Sequence, residues 1–304
     1  MLKNKIDFAV IVSVKNANPN GDPLNGNRPR VNYEGYGELS DVSIKRKIRN
    51  RLMEAGKPIF VQPDDNRLDD YRSLRARAEA NLKDYLGDEK RFREEACKKW
   101  LDVRAFGQVF AYKGSQNKGQ SKKKGTDSES ESEERNEGSS ESVSIGIRGP
   151  VSIHPAFSID PISISSIQIT KSVSGEGDGK KKSSDTMGMK HRVDYGVYVF
   201  YGSINPQLAS KTGFVDEDAE AIKGALMGLF ENDSSSARPE GSMEVYRVYW
   251  WRHNSKNGQY SSAMVHRSLQ ISLKQGVIEA TNIEDYDIDI KELPDLKPEV
   301  FNGR

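Results

Sequence analysis

Residues 6–14 (IDFAVIVSV) contain only two polar side chains, Asp7 and Ser13, so both alternating faces of the run are apolar. A strand of that kind is stable only with a packed layer on each side, which predicts the central strand of a sheet. Whatever else the chain does, it must supply two covering layers for this one segment.

A dense turn region follows, Asn18-Pro19-Asn20-Gly21-Asp22-Pro23 and then Asn25-Gly26-Asn27-Arg28-Pro29-Arg30. Gly and Asn tolerate positive φ and Pro fixes its own, so this is a shaped loop. The spacing then predicts a helix over 42–54. Ser40 or Asp41 can cap it, Ile44, Ile48 and Leu52 form its buried stripe, and Gly56 and Pro58 stop it. The helix carries Lys45, Arg46, Lys47, Arg49 and Arg51, five cations in seven residues. A glycine-bearing loop feeding a basic helix after a strand is an anion-binding arrangement, with a nucleic-acid backbone among the candidate anions. The plainer alternative is a rigid turn and a solvated cationic helix face.

Farther along, residues 57–70 read as a short strand and a polar turn. Two helices divided by Gly87 occupy 71–100, with Leu74, Ala78, Leu82 and Tyr85 on one and Phe92, Ala96 and Trp100 on the other. Residues 101–112 read as a helix or short strand that closes this 57–112 insertion. Residues 114–142 hold no aliphatic, aromatic, Met or Cys side chain and read, with residue 113, as a disordered polar loop that includes Lys122, Lys123 and Lys124.

Strand patterning returns over 144–153, with a bend at Pro150, and over 162–173, where Ser165-Ser166 breaks the alternation and predicts a bulge. The thirteen residues from Ser174 to Thr186 lack an apolar side chain, and another strand follows through Tyr201. Together they predict a long hairpin over 163–192 with Lys180, Lys181 and Lys182 at its tip and Lys190, His191 and Arg192 near its base. A helix over 216–230, a loop over 237–242 and a strand over 243–251 come next; 268–273 is expected to pair with that strand through the turn at Asn257-Gly258. The acidic end, 276–304, is weakly patterned and receives no firm structure. Without its insertions the order is βαββαβ, the ferredoxin-like or RRM-like plan, in one α+β domain over 1–304. Sheets on that plan are a common platform for single-stranded RNA.

Composition narrows the partners. The net charge of +1 conceals segments of −2 (114–142) and −6 (279–300), which leaves +9 on the remainder. That basic body suits nucleic acid. The lone Cys97 excludes an intramolecular disulfide and suits a reducing cytoplasm. No secretion signal or membrane-length apolar run is present, so a soluble cytoplasmic protein without a membrane partner is expected.

Catalytic and cofactor chemistry finds little footing. His154, His191, His253 and His266 show no ligand spacing, and one cysteine makes no thiolate site. Asp64-Asp65 and Asp69-Asp70 read as turn and cap residues. Neither phosphate-loop pattern is present, nor is a nucleophile elbow, so no metal or cofactor is expected. Asp22 has two readings, a turn cap and a catalytic or metal-ligating acid, and spacing ties no second acid to it.

The N-P-N-G-D-P loop and the L-S-D-V-S-I-K-R-K-I-R-N segment, with D-V-R-A-F-G-Q-V-F (102–110), I-R-G-P-V (147–151), S-I-D-P-I (158–162) and M-K-H-R-V-D-Y-G-V-Y-V-F-Y-G-S-I-N (189–205), resemble the backbone subunit of type I CRISPR surveillance complexes, or Cascade, in its I-C branch of the RAMP superfamily. The match runs in order over most of 4–275. The resemblance implies an RRM-like palm, inserted helical fingers and a hairpin thumb, in a non-catalytic subunit that stacks head to tail along a CRISPR RNA. Each thumb would displace one nucleotide and leave the intervening guide free to pair with target DNA. Further copies of the chain, other Cascade subunits, the guide and the target strand are the implied partners. Carried over by motif, the RNA contacts are Asn18, Asn20, Gly21, Asp22, Lys45, Arg46, Arg49, Arg104 and Gln108, with Met187 and Met189 as wedges between bases. Arg28, Arg30, Arg148, Lys190, His191 and Arg192 join them as neighbouring cations and donors. The alternative from another class is a metal-dependent endoribonuclease of the same superfamily using Asp22 or Asp41.

Overall fold

The computed structural model describes residues 1–112, 143–170 and 187–304. In chain order the strands and α-helices are β1 (Ile6–Ala17), β2 (Gly21–Asp22), β3 (Arg28–Pro29), β4 (Tyr36–Leu39), α1 (Asp41–Glu54), α2 (Leu74–Leu82), α3 (Glu89–Lys99), α4 (Leu101–Phe106) and β5 (Gly107–Tyr112). Next come β6 (Val143–Arg148), β7 (Val151–Ile153), β8 (Ala156–Pro161), β9 (Ile164–Thr170), β10 (Met187–Ile204), α5 (Pro206–Thr212) and α6 (Asp216–Met227). The chain finishes with β11 (Met243–Arg252), α7 (Ser262–His266), β12 (Leu269–Leu273), β13 (Tyr286–Ile290) and β14 (Glu299–Asn302).

The apolar run does become the centre of a sheet, whose order is β14-β11-β1-β10-β8-β4. β1 pairs antiparallel with β10 from Ile6↔Ile204 to Ala17↔Val193, and with β11 on its other edge, where the register shifts between Ile11 and Val12. β10, eighteen residues long, takes β9, β8 and β7 in turn along its far edge.

Alternation along β1 assigns its side chains to two cores. Phe8, Val10, Val12 and Val14 face Ile44, Ile48 and Leu52 of α1 and Ile222 and Leu226 of α6. Ala9 and Ile11, with Val197, Val199, Tyr249 and Trp251, lie beneath Val265, Leu269, Tyr286, Leu293 and Leu296. The second layer comes from the C-terminal forty residues, which include the acidic end, 276–304, that was expected to lack firm structure. Its signal was the alternation Tyr286-Asp287-Ile288-Asp289-Ile290, which forms β13 and pairs with β12. The expected pairing of β12 with β11 is therefore absent, and the edge beside β11 is filled by β14. With both broad faces covered, the sheet is not an open platform for RNA.

Asp7, the second residue of β1, is fully buried and serves to fasten this second layer. His253 Nδ1 accepts the Gln259 N–H at 3.0 Å, so its proton sits on Nε2, which donates to Asp7 Oδ2 at 2.9 Å. Lys5 adds an ion pair at 3.2 Å.

A third, aromatic core holds the 57–112 segment together. Phe60 packs on Trp100 and Phe110 at ring-centroid distances of 4.7 and 5.1 Å, and Phe92 meets Phe110 edge-on at 5.0 Å. The expected strand within 57–70 is absent. The Phe60 and Val61 N–H groups instead donate to the buried Asp102 carboxylate at 2.7 and 3.0 Å, which satisfies them without a sheet partner. Residues 101–112 contain both expected alternatives, α4 and then β5, joined at Gly107. Its φ of 82° and the 2.3 Å that would separate an added Cβ from the Ile147 carbonyl oxygen leave room only for glycine.

The expected strand 144–153 divides at Gly149-Pro150. β6 pairs with β5 in a separate ribbon, while β7 joins the central sheet. The bulge expected at Ser165-Ser166 is also absent, since β9 runs in unbroken register from Thr170↔Met187 to Ile164↔Val193. The lysine tip at 180–182 and the polar tract with its Lys122–Lys124 run lie outside the described residues.

Candidate nucleic-acid interface

The loop after β1 is built as a small rigid module. Asn18 is buried; its backbone N–H donates to the Ala237 carbonyl at 2.9 Å and its side-chain amide donates to the Asn27 carbonyl at 2.6 Å. Asn20 Oδ1 accepts from the Ser40 N–H at 2.9 Å, which ties the loop to the first turn of α1. Gly21 pairs with Pro29, and a Cβ there would fall 2.0 Å from Asn27 Oδ1. Asp22 Oδ1 accepts the Leu24 N–H at 3.2 Å, the turn cap, and lies 3.4 Å from Arg30 Nη2. Asn18, Asn20 and Gly21 thus shape the loop, while Arg28 is presented from it.

α1 starts at its Ser40 cap, whose hydroxyl accepts the Ser43 N–H at 3.3 Å, and buries the expected stripe. Its cations are neither free nor simply solvated, because each has a carboxylate partner. Lys47 is buried against Asp233, which Arg238 also meets at 3.1 Å; desolvation pulls the Lys47 ammonium down to about 8. Arg51 pairs with Glu54 and with Glu231. Arg49 Nε reaches Asp102 Oδ2 at 2.9 Å, and only 13% of the Arg49 side chain is exposed. Arg104 grips Asp218 through two bonds of 2.8 and 2.7 Å, joining α4 to the N-terminus of α6. Arg49 and Arg104 are therefore each held by a buried carboxylate inside the protein. Asp102 and Asp218 lie 53 and 114 residues from these arginines, and no local spacing links them.

Lys45 and Arg46 are the outward pair. Lys45 meets Asp41 at 2.9 Å and Arg46 meets Asp65 at 3.4 Å, with the Arg46 and Asp65 side chains 59% and 75% exposed. The exposed Arg46–Asp65 pair exchanges readily for a stronger anion, and the part-buried Lys45–Asp41 pair less so. Gln108 donates to the Val109 carbonyl at 3.0 Å, and Arg148 is exposed opposite Gly107 at the end of the β5–β6 ribbon.

The other wall is the β9–β10 hairpin. Register puts Met187, Met189 and His191 on one face with Gln168 and Ser166, and Lys190 and Arg192 on the other with Ile167 and Ser165. Met187 and Met189 are 65% and 55% exposed. Arg192 lies 3.8 Å from Asp194, which also accepts from Ser165 Oγ at 2.8 Å. The loop and the hairpin meet: Arg28 Nη1 donates to Ser166 Oγ at 3.2 Å, and Ser166 Oγ is 2.8 Å from His191 Nδ1. Arg28, Arg148 and Lys190 have no carboxylate partner among the described residues. Ser166 escaped the sequence reading because it was spent on a bulge.

Asp41 lies in the first turn of α1 and holds Lys45, and Asp22 caps its loop. Among the described residues no group of three or more His, Cys, Asp or Glu is placed to hold a metal, and no helix is long and apolar enough to cross a membrane. Cys97 is buried, and desolvation pushes its thiol up to about 11, so it is no nucleophile at neutral pH.

The arrangement defines an α+β protein with a central antiparallel sheet covered on both faces and a cationic, methionine-bearing edge between a rigid loop and a hairpin. The chain belongs to the CRISPR-associated protein Cas7 family, whose model matches residues 4–291. It is 23% identical over 301 residues to a CRISPR-associated protein Cas7 of Haloferax volcanii, spanning 95% of this chain and 82% of that one. Among solved structures, a chain of a CRISPR RNA-guided surveillance complex in a pre-nicking state is similar at a TM-score of 0.43 and 13% identity, over 81% of this chain and 78% of that one. A chain of another CRISPR RNA-guided surveillance complex is similar at a TM-score of 0.38 and 14% identity, over 81% and 68%.

Proposed function

We propose that this chain is a CRISPR RNA-binding subunit that stacks head to tail on the guide and forms the backbone of a Cascade surveillance complex of the I-C branch. Family membership supports the class. The observation that carries the mechanism is the junction of Arg28 in the loop with Ser166 and His191 in the hairpin. Both sheet faces are occupied, so RNA runs along this edge. Lys45 and Arg46 neutralise phosphates on the way.

The strand order β11-β1-β10-β7, with α1 after β1 and α6 before β11, supports a ferredoxin-like, RRM-like palm. The aromatic 57–112 segment acts as fingers and the β9–β10 hairpin as a thumb, with Met187 and Met189 placed to part stacked bases. Copies share one surface pair, and a heterologous contact of that kind grows with its template rather than closing. The protein holds backbone, and pairing of the guide with target DNA carries the sequence.

The subunit performs no cutting. Asp22 and Asp41 are engaged as a turn cap and an ion-pair partner, which favours this reading over a metal-dependent endoribonuclease. Incubation with guide-matched RNA and magnesium is the test. The RNA is expected to stay intact and bound; cleavage lost on Asp22→Ala would replace this reading with the nuclease one.

A further inference from the structure

Ser165 and Ser166 point to opposite faces of β9, and each hydroxyl has a partner across the hairpin. Ser165 Oγ donates to Asp194, a contact internal to the hairpin. Ser166 Oγ does more, because it lies 2.8 Å from His191 Nδ1 and 3.2 Å from Arg28 Nη1, which comes from a loop 138 residues away. A guanidinium only donates, so Oγ must accept from Arg28. Oγ keeps a second lone pair and its own O–H, so the contact with Nδ1 runs in one of two directions; when the O–H is given to Nδ1, a neutral imidazole carries its proton on Nε2.

We propose that Ser166 is the positioning residue of a phosphate-gripping site formed by Arg28 and His191. It holds the guanidinium against the hairpin and selects the Nε2–H tautomer of His191. The His191 Nε2–H and the remaining Arg28 N–H groups have no partner among the described residues. They are two donors for the oxygens of one phosphodiester, at the junction where, among the described residues, Arg28 of the loop is bonded to the hairpin. The tautomer matters because an acceptor nitrogen turned toward a phosphate would repel it. This inference rests on the RNA-binding reading above and adds to it the residue that sets the geometry.

Three full-length variants, Ser166→Ala, Ser166→Thr and Arg28→Ala, with the Ser166→Ala/Arg28→Ala double, are compared with wild type. Affinity for single-stranded RNA and the ¹⁵N shifts of the His191 ring are the two measurements. Ser166→Ala is expected to weaken RNA binding about fivefold, the scale of one or two lost hydrogen bonds, and to move His191 into a tautomer mixture. Ser166→Thr, which keeps the hydroxyl, is expected to restore both. The double variant should bind no worse than Arg28→Ala alone, since the two residues act together. Unchanged affinity or an unchanged tautomer in Ser166→Ala overturns the proposal, as does additive loss in the double. Failure of the wild type itself to bind RNA would instead overturn the reading it rests on.

Discussion

Arg49 Nε stands 2.9 Å from Asp102 Oδ2, and this pair joins the basic helix to the aromatic segment beside it. The same carboxylate accepts the Phe60 and Val61 N–H groups, and Asp102 is 1% exposed. Arg49, a cation on the helix expected to track a phosphate chain, satisfies an acid that replaces a strand partner. The helix therefore divides its cations between two jobs, with Lys47, Arg49 and Arg51 turned to the protein and Lys45 and Arg46 left at the surface.

Removing Arg49 strands a buried carboxylate. Arg49→Ala is expected to destabilise the fold by about 3–5 kcal/mol, read as a lower denaturation midpoint with an unchanged slope. Affinity for RNA, measured where the variant remains folded, should change little. A variant of wild-type stability would show that Asp102 does not depend on Arg49.

Lys45 and Arg46 predict the opposite pattern. The Lys45→Gln/Arg46→Gln double is expected to keep its stability and to lose RNA affinity on every sequence alike. The slope of log affinity against log salt should fall by about 1.4, at roughly 0.7 per phosphate contact on a single strand. An unchanged slope would remove these two side chains from the RNA path.

The C-terminal layer carries a titratable weak point. His266 packs on Tyr201 with ring centroids 4.8 Å apart and donates to the Gly202 carbonyl at 3.2 Å; burial holds its ring below the usual 6.5. Asp7, Lys5 and His154 are the other charged or titratable groups that face it. The depressed value means that the unfolded chain takes up the proton first. Stability is therefore complete above about pH 6.5 and declines as the pH falls below it. Asp7, held below 3.8 by His253, Ser262 and Lys5, adds a loss only in stronger acid. Denaturation midpoints from pH 7.5 to 5 should fall in wild type and fall less in His266→Gln; equal slopes would contradict the assignment.

Much of this architecture was legible before any coordinates. The nine-residue apolar run announced a strand covered on both sides, and the Ser40 cap with Ile44, Ile48 and Leu52 announced α1 to within a residue. These are local properties that period and capping chemistry report directly. Pairing is not local. The 268–273 strand was readable, yet β13 rather than β11 as its partner was not, because alternation says which face is buried and not which edge is met. The candidate site shows the same division: Arg28, Lys45, Arg46 and His191 stood out by residue type, while the ion pairs of Arg49 and Arg104 depend on acids distant in sequence. Ser166 looked like a break in a pattern and is a bridge between two walls.

The most direct test is the mass of the complex as a function of RNA length. Purified protein is mixed with single-stranded guide RNAs of increasing length, and the bound mass is read by light scattering or electron microscopy. Copies stacking head to tail predict a mass that rises in steps of one 34.0 kDa subunit as the RNA lengthens. A complex that stays at one fixed mass on every length would contradict the account.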